Sequence, residues 1–371
     1  MSPPFNGLEE IALLLRGERS SHPRGEDGDI RLLELSLEHG VEALLYWQLR
    51  KHPGLVSEDL LQALADRARG ESVEEQLRCN ETVRVLEALA EISCLPILLK
   101  GTALAYQNYA APFLRPRCDT DILIPETAVA HTKRLMARLG YRFPNYADGD
   151  LIFYQFSTEK QDSWGVDHVF DFHWKISARK LFAKLFDYAE MAASSVRVPS
   201  LGRHAFTLHP VHSLALACIH PVMHHHNRLH LLWIYDIHLL LQSFTSEQAE
   251  QFLRLAREKK ITAICARGIE QSYHYFKTPL AKDLRTSLYA TEFEPTAQFL
   301  RPQRRMLDDL WSDFFALESW TERGSLLRQI AFPGRKYMRE AFGSRVANRW
   351  DWISYSLRGV RGVWKLFRPF E

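Results

Sequence analysis

No C-x-x-C pair occurs in this chain, and its five cysteines, Cys79, Cys94, Cys118, Cys218 and Cys265, are scattered and odd in number. That pattern excludes a disulfide framework and a cysteine-based structural zinc site, and it predicts reduced thiols. Long apolar runs are also missing; none approaches the roughly 20 residues that span a bilayer. The opening Met1-Ser2-Pro3-Pro4-Phe5 lacks the basic-then-apolar order of a signal peptide. Together these absences predict a cytoplasmic protein. Charge of one sign is scarce as well, with 47 Lys and Arg against 45 Asp and Glu. A net charge of +2 provides no global footprint for nucleic acid. Internal repeats and low-complexity tracts are lacking. What remains is ordinary globular material: 371 residues, 46% hydrophobic and 25% charged, with room for two or three compact units.

The texture changes twice along the chain. Residues 7–90 read as helical, through the spacing of Leu8, Ile11, Ala12 and Leu15, and through a Leu-, Ala-, Glu- and Arg-rich span from Ser57 to Ile92 interrupted by Gly70. Pro96 opens a strand-rich portion, residues 96–176. Pro96-Ile97-Leu98-Leu99 suits a buried strand, Cys118 to Ile124 a second, and Tyr141-Arg142-Phe143, Leu151 to Phe156 and Val166 to Trp174 further ones. Thr102 and Thr127 are placed to cap the two helices between them, the second stopped at Gly140. After Pro210 the pattern predicts helices over Val211 to His224, Leu229 to Phe244 and Ser246 to Glu258, and residues 279–371 read as helical with breaks at Pro295, Pro302 and Gly334. The expected division is 1–92 helical, 93–200 an α/β core, 201–300 a helical domain closing a cleft, and 301–371 a helical, basic tail.

Chemistry concentrates in the strand-rich portion. Lys100-Gly101-Thr102 reads as a tight glycine turn into a helix, and Arg115-Pro116-Arg117-Cys118-Asp119-Thr120-Asp121 leads into a strand with two acids two positions apart. Side chains at i and i+2 of a strand share a face, so Asp119 and Asp121 project together with Thr120 opposite. Adjacent carboxylates repel unless a cation lies between them, and Mg²⁺ held by carboxylates and substrate phosphates is the common resolution. In Val169-Phe170-Asp171-Phe172-His173-Trp174 a third acid, Asp171, shares a strand face with His173, opposite three aromatics. Three carboxylates can hold two Mg²⁺ ions. The helix N-terminus after Lys100 and Gly101 attracts phosphate, with Lys100 and Arg115 supplying charge. His173 either touches phosphate, orients a carboxylate or packs in the core.

These three segments resemble the polymerase-β-like nucleotidyltransferase superfamily, and within it a bacterial family of uncharacterised nucleotidyltransferases. The resemblance rests on Leu99-Lys100-Gly101-Thr102-Ala103-Leu104, the Arg115-Pro116…Asp119-Thr120-Asp121 strand and Asp171-Phe172-His173-Trp174, in order over about a quarter of the chain. It implies an α+β fold, a small mixed sheet with flanking helices. Asp119 and Asp121 correspond by it to the metal-binding pair, Asp171 to the third carboxylate, and Gly101-Thr102 to the turn approaching the nucleotide phosphates. The turn carries Lys-Gly-Thr where Gly-Ser is more usual. The implied activity is Mg²⁺-dependent transfer of a nucleoside monophosphate from an NTP such as ATP to an unidentified hydroxyl or phosphate acceptor. A non-catalytic nucleotide-binding or interaction protein with the same fold is the alternative.

Three other features compete for attention. His220, His224, His225, His226 and His230 form a dense group, with His220 and His224 on one helix face as in some zinc sites. Pro221 interrupts, and no glutamate follows His220, so the favoured reading is a helical segment whose imidazoles pack near the acidic site. Asp236, within an apolar helix, needs a partner, and Arg228 two turns away is the simplest one. The stretch from Gly343 to Glu371 interleaves Arg345, Arg349, Arg358, Arg361, Lys365 and Arg368 with tryptophans, a pattern suited to a weak membrane-surface or protein contact or to solvated arginines over packed aromatics.

Overall fold

The computed structural model describes residues 7–19, 26–144, 154–280, 292–302 and 304–331, together with 284, 287 and 288. The segments Leu151 to Phe153, Gly334 and Gly343 to Glu371 lie outside the described residues, and the expectations placed on them with them.

Three helices open the chain: α1 (Gly7–Leu15), α2 (Glu26–Glu38) and α3 (Glu42–Leu49). They are followed by α4 (Glu58–Glu91), 34 residues long and started by Ser57, whose hydroxyl accepts the Leu60 N–H at 3.2 Å. A helix of that length reaches about 50 Å. Gly70 does not break it. Its N-terminal half contributes Leu60, Leu64 and Ala68 to a core shared with α1–α3, and its C-terminal half contributes Val85, Leu86 and Leu89 to the core beneath the sheet.

Among the described residues the sheet has six strands: β1 (Ile97–Leu98), β2 (Thr120–Leu123), β3 (Gln155–Gln161), β4 (Asp167–His173), β5 (Val196–Arg197) and β6 (Phe206–Thr207). Their order is β3-β4-β2-β1-β6-β5, with β2/β4 and β1/β6 parallel and the other pairs antiparallel. This is the mixed α+β architecture expected. The last two strands were not foreseen, because two-residue strands carry no alternation to read. Between them lie α5 (Lys100–Gln107), α6 (Val129–Arg138), α7 (Lys180–Ala183) and α8 (Tyr188–Ala193). Neither expected threonine cap forms. Helix α5 starts at Lys100, so Thr102 sits buried inside it, and a 3₁₀ turn over Glu126–Ala128 precedes α6. Gly140, at φ +84, does end α6.

Strand alternation divides the two faces. Leu98, Ile122, Phe170 and Phe172 point to the α4/α6 side, where Phe156 and Phe172 stack at 5.0 Å. Ile97 and Leu123 point to the opposite side, which is covered by α9 (Pro210–His224), α10 (Leu231–Gln242), α11 (Ser246–Glu258) and α12 (Thr262–Phe276). Pro221 lies within α9 without ending it, and the helix spans the Val211 to His224 stretch that the sequence pattern predicts. Two helices close the described chain, α13 (Met306–Ala316) and α14 (Trp320–Ala331). No helix among the described residues is long and apolar enough to cross a membrane.

Candidate active site

Parallel pairing of β2 with β4 sets Asp121 directly beside Asp171, and antiparallel pairing of β3 sets Ser157 beside Asp171. Residues in register share a face. By parity, Asp121, Asp171 and His173 emerge on the α9 side, opposite Phe170 and Phe172. Ligating atoms of Asp121, Asp171 and His173 all lie within 4.8 Å of one another, the one such group among the described residues. The Ser157 hydroxyl donates to Asp171 Oδ1.

Asp121 is the hub. The Lys100 ammonium lies 2.9 Å and His173 Nε2 2.7 Å from its Oδ1. Burial resists its ionisation, yet Lys100 and His173 overcome that penalty and hold the carboxyl well below its usual range. Both contacts fall on Oδ1, so Oδ2 carries no hydrogen bond from a described residue. Asp171 moves the other way: burial, and then the charge of Asp121, raise its affinity for a proton against the help of Ser157. Asp119 precedes β2, is exposed, and stands outside the 4.8 Å group. Surrounding protein, Asp121 and Asp171 nevertheless raise its pKa to about 6. Thr120 turns to the far face, where Arg117 binds it and is itself held by Glu75 at 3.0 Å.

Two carboxylates and an imidazole suit a divalent cation, but the donor set discriminates. Magnesium prefers oxygen, whereas imidazole suits zinc, copper or iron. His173 already bonds Asp121, so an oxygen-seeking ion fits if Asp121 Oδ2 and Asp171 bind it while His173 orients the first carboxylate. His173 Nδ1 is buried with no hydrogen-bond partner among the described residues.

The turn behaves differently from the sequence reading. Gly101 has no positive φ; the left-handed residue is Lys100, at φ +47. A side chain is excluded at Gly101 by Arg115 instead, whose Nη1 would lie 2.5 Å from a Cβ there. Arg115 cannot readily yield. It is buried and gripped by Asp236 through Nε at 3.1 Å and Nη2 at 2.7 Å, while the Tyr109 hydroxyl donates to Asp236 at 2.7 Å. Arg115 therefore spends its fork on Asp236. Arg228, the partner expected for Asp236, pairs with Glu38 at 2.7 Å. The error has a simple cause: sequence proximity favoured Arg228, whereas the α5–β2 connection delivers Arg115 across 121 residues.

The histidine group forms no metal site among the described residues. His225 and His230 lie against Trp233 at 4.3 Å and 4.4 Å, and His220 meets its edge at 5.2 Å. Burial, with Lys100 next, pushes His220 well below its usual pKa and His224 down to about 3; Asp121 works against both shifts. These neutral rings border the acidic cluster, as the packing expectation had it. Ser157, Tyr109 and Glu75 carry no signal in the sequence, because lone polar residues in a strand, a bend or a helix have no spacing to read.

A mixed sheet carrying a carboxylate pair in register on two parallel strands, beside a lysine-bearing helix start, has the form of a phosphoryl- or nucleotidyl-transferring enzyme. The model of the family described as uncharacterised nucleotidyltransferase matches residues 28–277, well over half the chain, and the protein belongs to that family. It is thus a nucleotidyltransferase, a transferase of phosphorus-containing groups with a nucleotide substrate. Among curated proteins none matches it.

Proposed function

We propose that the protein transfers a nucleoside monophosphate from an NTP, ATP among the candidates, to a hydroxyl or phosphate oxygen of an acceptor. The acceptor oxygen forms a bond to the α-phosphorus as the bond to the bridging oxygen of the β-phosphate breaks, and pyrophosphate leaves with that electron pair. The carrying observation is the Asp121–Asp171 register, which brings two carboxylates and His173 within 4.8 Å on one face.

In this reading Asp121, Asp171 and Asp119 hold magnesium, two ions by the resemblance, which when bound supplies charge neutralisation for the triphosphate and the developing negative charge. Asp171, in register with Asp121 on the same face, takes the proton of an acceptor hydroxyl. His173 keeps Asp121 oriented. Lys100 releases Asp121 when triphosphate arrives and turns its ammonium to the phosphates, helped by the N–H groups of Gly101 and Thr102 at the start of α5. Arg115 acts from behind, packing Gly101. The helices after residue 210 form the opposite wall and select the acceptor, so the partition 93–200 for catalysis and 201–300 for closure is part of the proposal.

Pyrophosphate release with radiolabelled NTPs and cell extract, compared between wild type and Asp171→Asn, tests this. Mg²⁺-dependent release lost in the variant supports the reading. Nucleotide binding without release across a broad acceptor panel favours a non-catalytic nucleotide-binding protein instead.

A further inference from the structure

Two segments leave the acidic cluster and meet again at Asp309. Arg179, six residues beyond His173, binds Asp309 and Asp313, the latter at 3.1 Å. His226, two residues beyond His224, places Nδ1 4.0 Å from Asp309. Two peptide units span at most about 7 Å between Cα atoms, so His226 stays near the cleft that His224 borders. Arg304 completes the arrangement: it holds Asp309 at 2.6 Å and lies over the Phe299 ring at 4.1 Å. Asp309 is 2% exposed, and two guanidinium groups already share its charge.

A groove of about 500 Å³ opens here, with His226, Asn227, Arg267, Arg301, Arg304 and Asp309 in its lining. A second, of about 490 Å³, shares Arg301, Pro302 and Arg304 with it and continues along α13 past Trp311 and Phe315. Arg267 on α12 and Arg301 are exposed, and no carboxylate among the described residues forms an ion pair with either. Asp309 is the single acid lining the first groove, and it is spent. The groove thus has the size of a small-molecule site and two uncommitted arginines, whose planar forks match phosphate oxygens.

Resting on the transferase reading above, we infer that the acceptor carries a phosphate group remote from its attacking oxygen, and that Arg267 and Arg301 bind this phosphate in the groove beside His226. The phosphate belongs either to a free small molecule or to a lipid headgroup, and the two are separable. The residues that choose the acceptor are then distinct from those that hold the nucleotide.

The test is calorimetric titration of the full chain, saturated with Mg²⁺ and α,β-methylene ATP to fill the nucleotide site, with inorganic phosphate and separately with short-chain phosphatidate below its micelle concentration. Saturable binding of phosphate, weakened roughly tenfold or more in R267S/R301S, is the expected result. Phosphatidate binding much tighter than phosphate, and lost in the same double variant, assigns the headgroup; equal or weaker binding assigns a free phosphate ester. Absence of saturable binding by either probe, or an unchanged affinity in R267S/R301S, overturns the proposal. Repeating the phosphate titration without nucleotide keeps the two readings apart, since failure of the nucleotide to bind counts against the transferase reading alone.

Discussion

Replacing Asp236 by alanine should damage the protein more than any exposed charge change, for a reason visible in one ion pair. Arg115 is buried, contacts Asp236 at 2.7 Å and 3.1 Å, and cannot shed its charge. Truncating Asp236 leaves that guanidinium unpaired in the interior and strips the Tyr109 hydroxyl of its acceptor. Breaking one side of a buried pair costs about 3–5 kcal/mol. The unpaired hydroxyl adds about 1–3 kcal/mol where water cannot reach it. A total of roughly 4–8 kcal/mol is therefore expected, comparable to the whole stability of a marginal domain. Urea denaturation followed by tryptophan fluorescence measures it. The Arg115→Met/Asp236→Leu pair separates net worth from orphaned charge: the double variant should recover at least about half the loss, because no buried charge remains unpaired. A cost below about 1 kcal/mol for Asp236→Ala, or a double variant less stable than the sum of the singles, refutes the reasoning.

Further outcomes follow from the same geometry. Gly101→Ala places a Cβ against the fixed Arg115 guanidinium, so it should lower both the urea midpoint and transferase activity, while Gly140→Ala, which meets no neighbour but sits at φ +84, should affect stability alone. Lys100→Ala removes the cation that occupies Asp121, so Mg²⁺ affinity measured without nucleotide should tighten while the KM for NTP rises; loosened Mg²⁺ binding would oppose the proposed exchange. Asp119 has a folded pKa raised to about 6, so the folded state binds more proton than the unfolded state between about pH 4 and 6. Its contribution to stability accordingly falls as pH rises through that window. Asp119→Asn should then be stabilised relative to wild type at pH 7 and nearly equal to it at pH 4, by less than about 1 kcal/mol because the group is exposed and screened; turnover should be lost at either pH.

Much of the candidate site's face could be read from the chain because strand alternation is a local rule. Asp171 and His173 on one side, with Phe170 and Phe172 on the other, follow from period two alone, and the structure pairs β4 with β2 so that Asp171 meets Asp121. What no local rule supplies is register across distance. Arg115 looked like a phosphate ligand because arginines near an acidic strand often are; only the fold shows it committed to α10. Gly101 likewise suggested a turn, whereas its missing side chain makes room for Arg115. Helix α12 went unread, since its buried Ile264, Cys265 and Ile269 give a narrow stripe interrupted by Gly268. The long α4 was plain from composition, but its role in joining two cores depends on which partners each half meets.

In the proposed reaction Asp121 and Asp171 would share a divalent cation with the nucleotide's phosphates. Mn²⁺ titration of the full chain, followed by electron paramagnetic resonance with α,β-methylene ATP present, addresses it directly. Wild type should sequester Mn²⁺ in a nucleotide-dependent manner, and Asp121→Asn and Asp171→Asn, folded by circular dichroism, should each lose that uptake. Undiminished Mn²⁺ uptake in both variants would contradict the account.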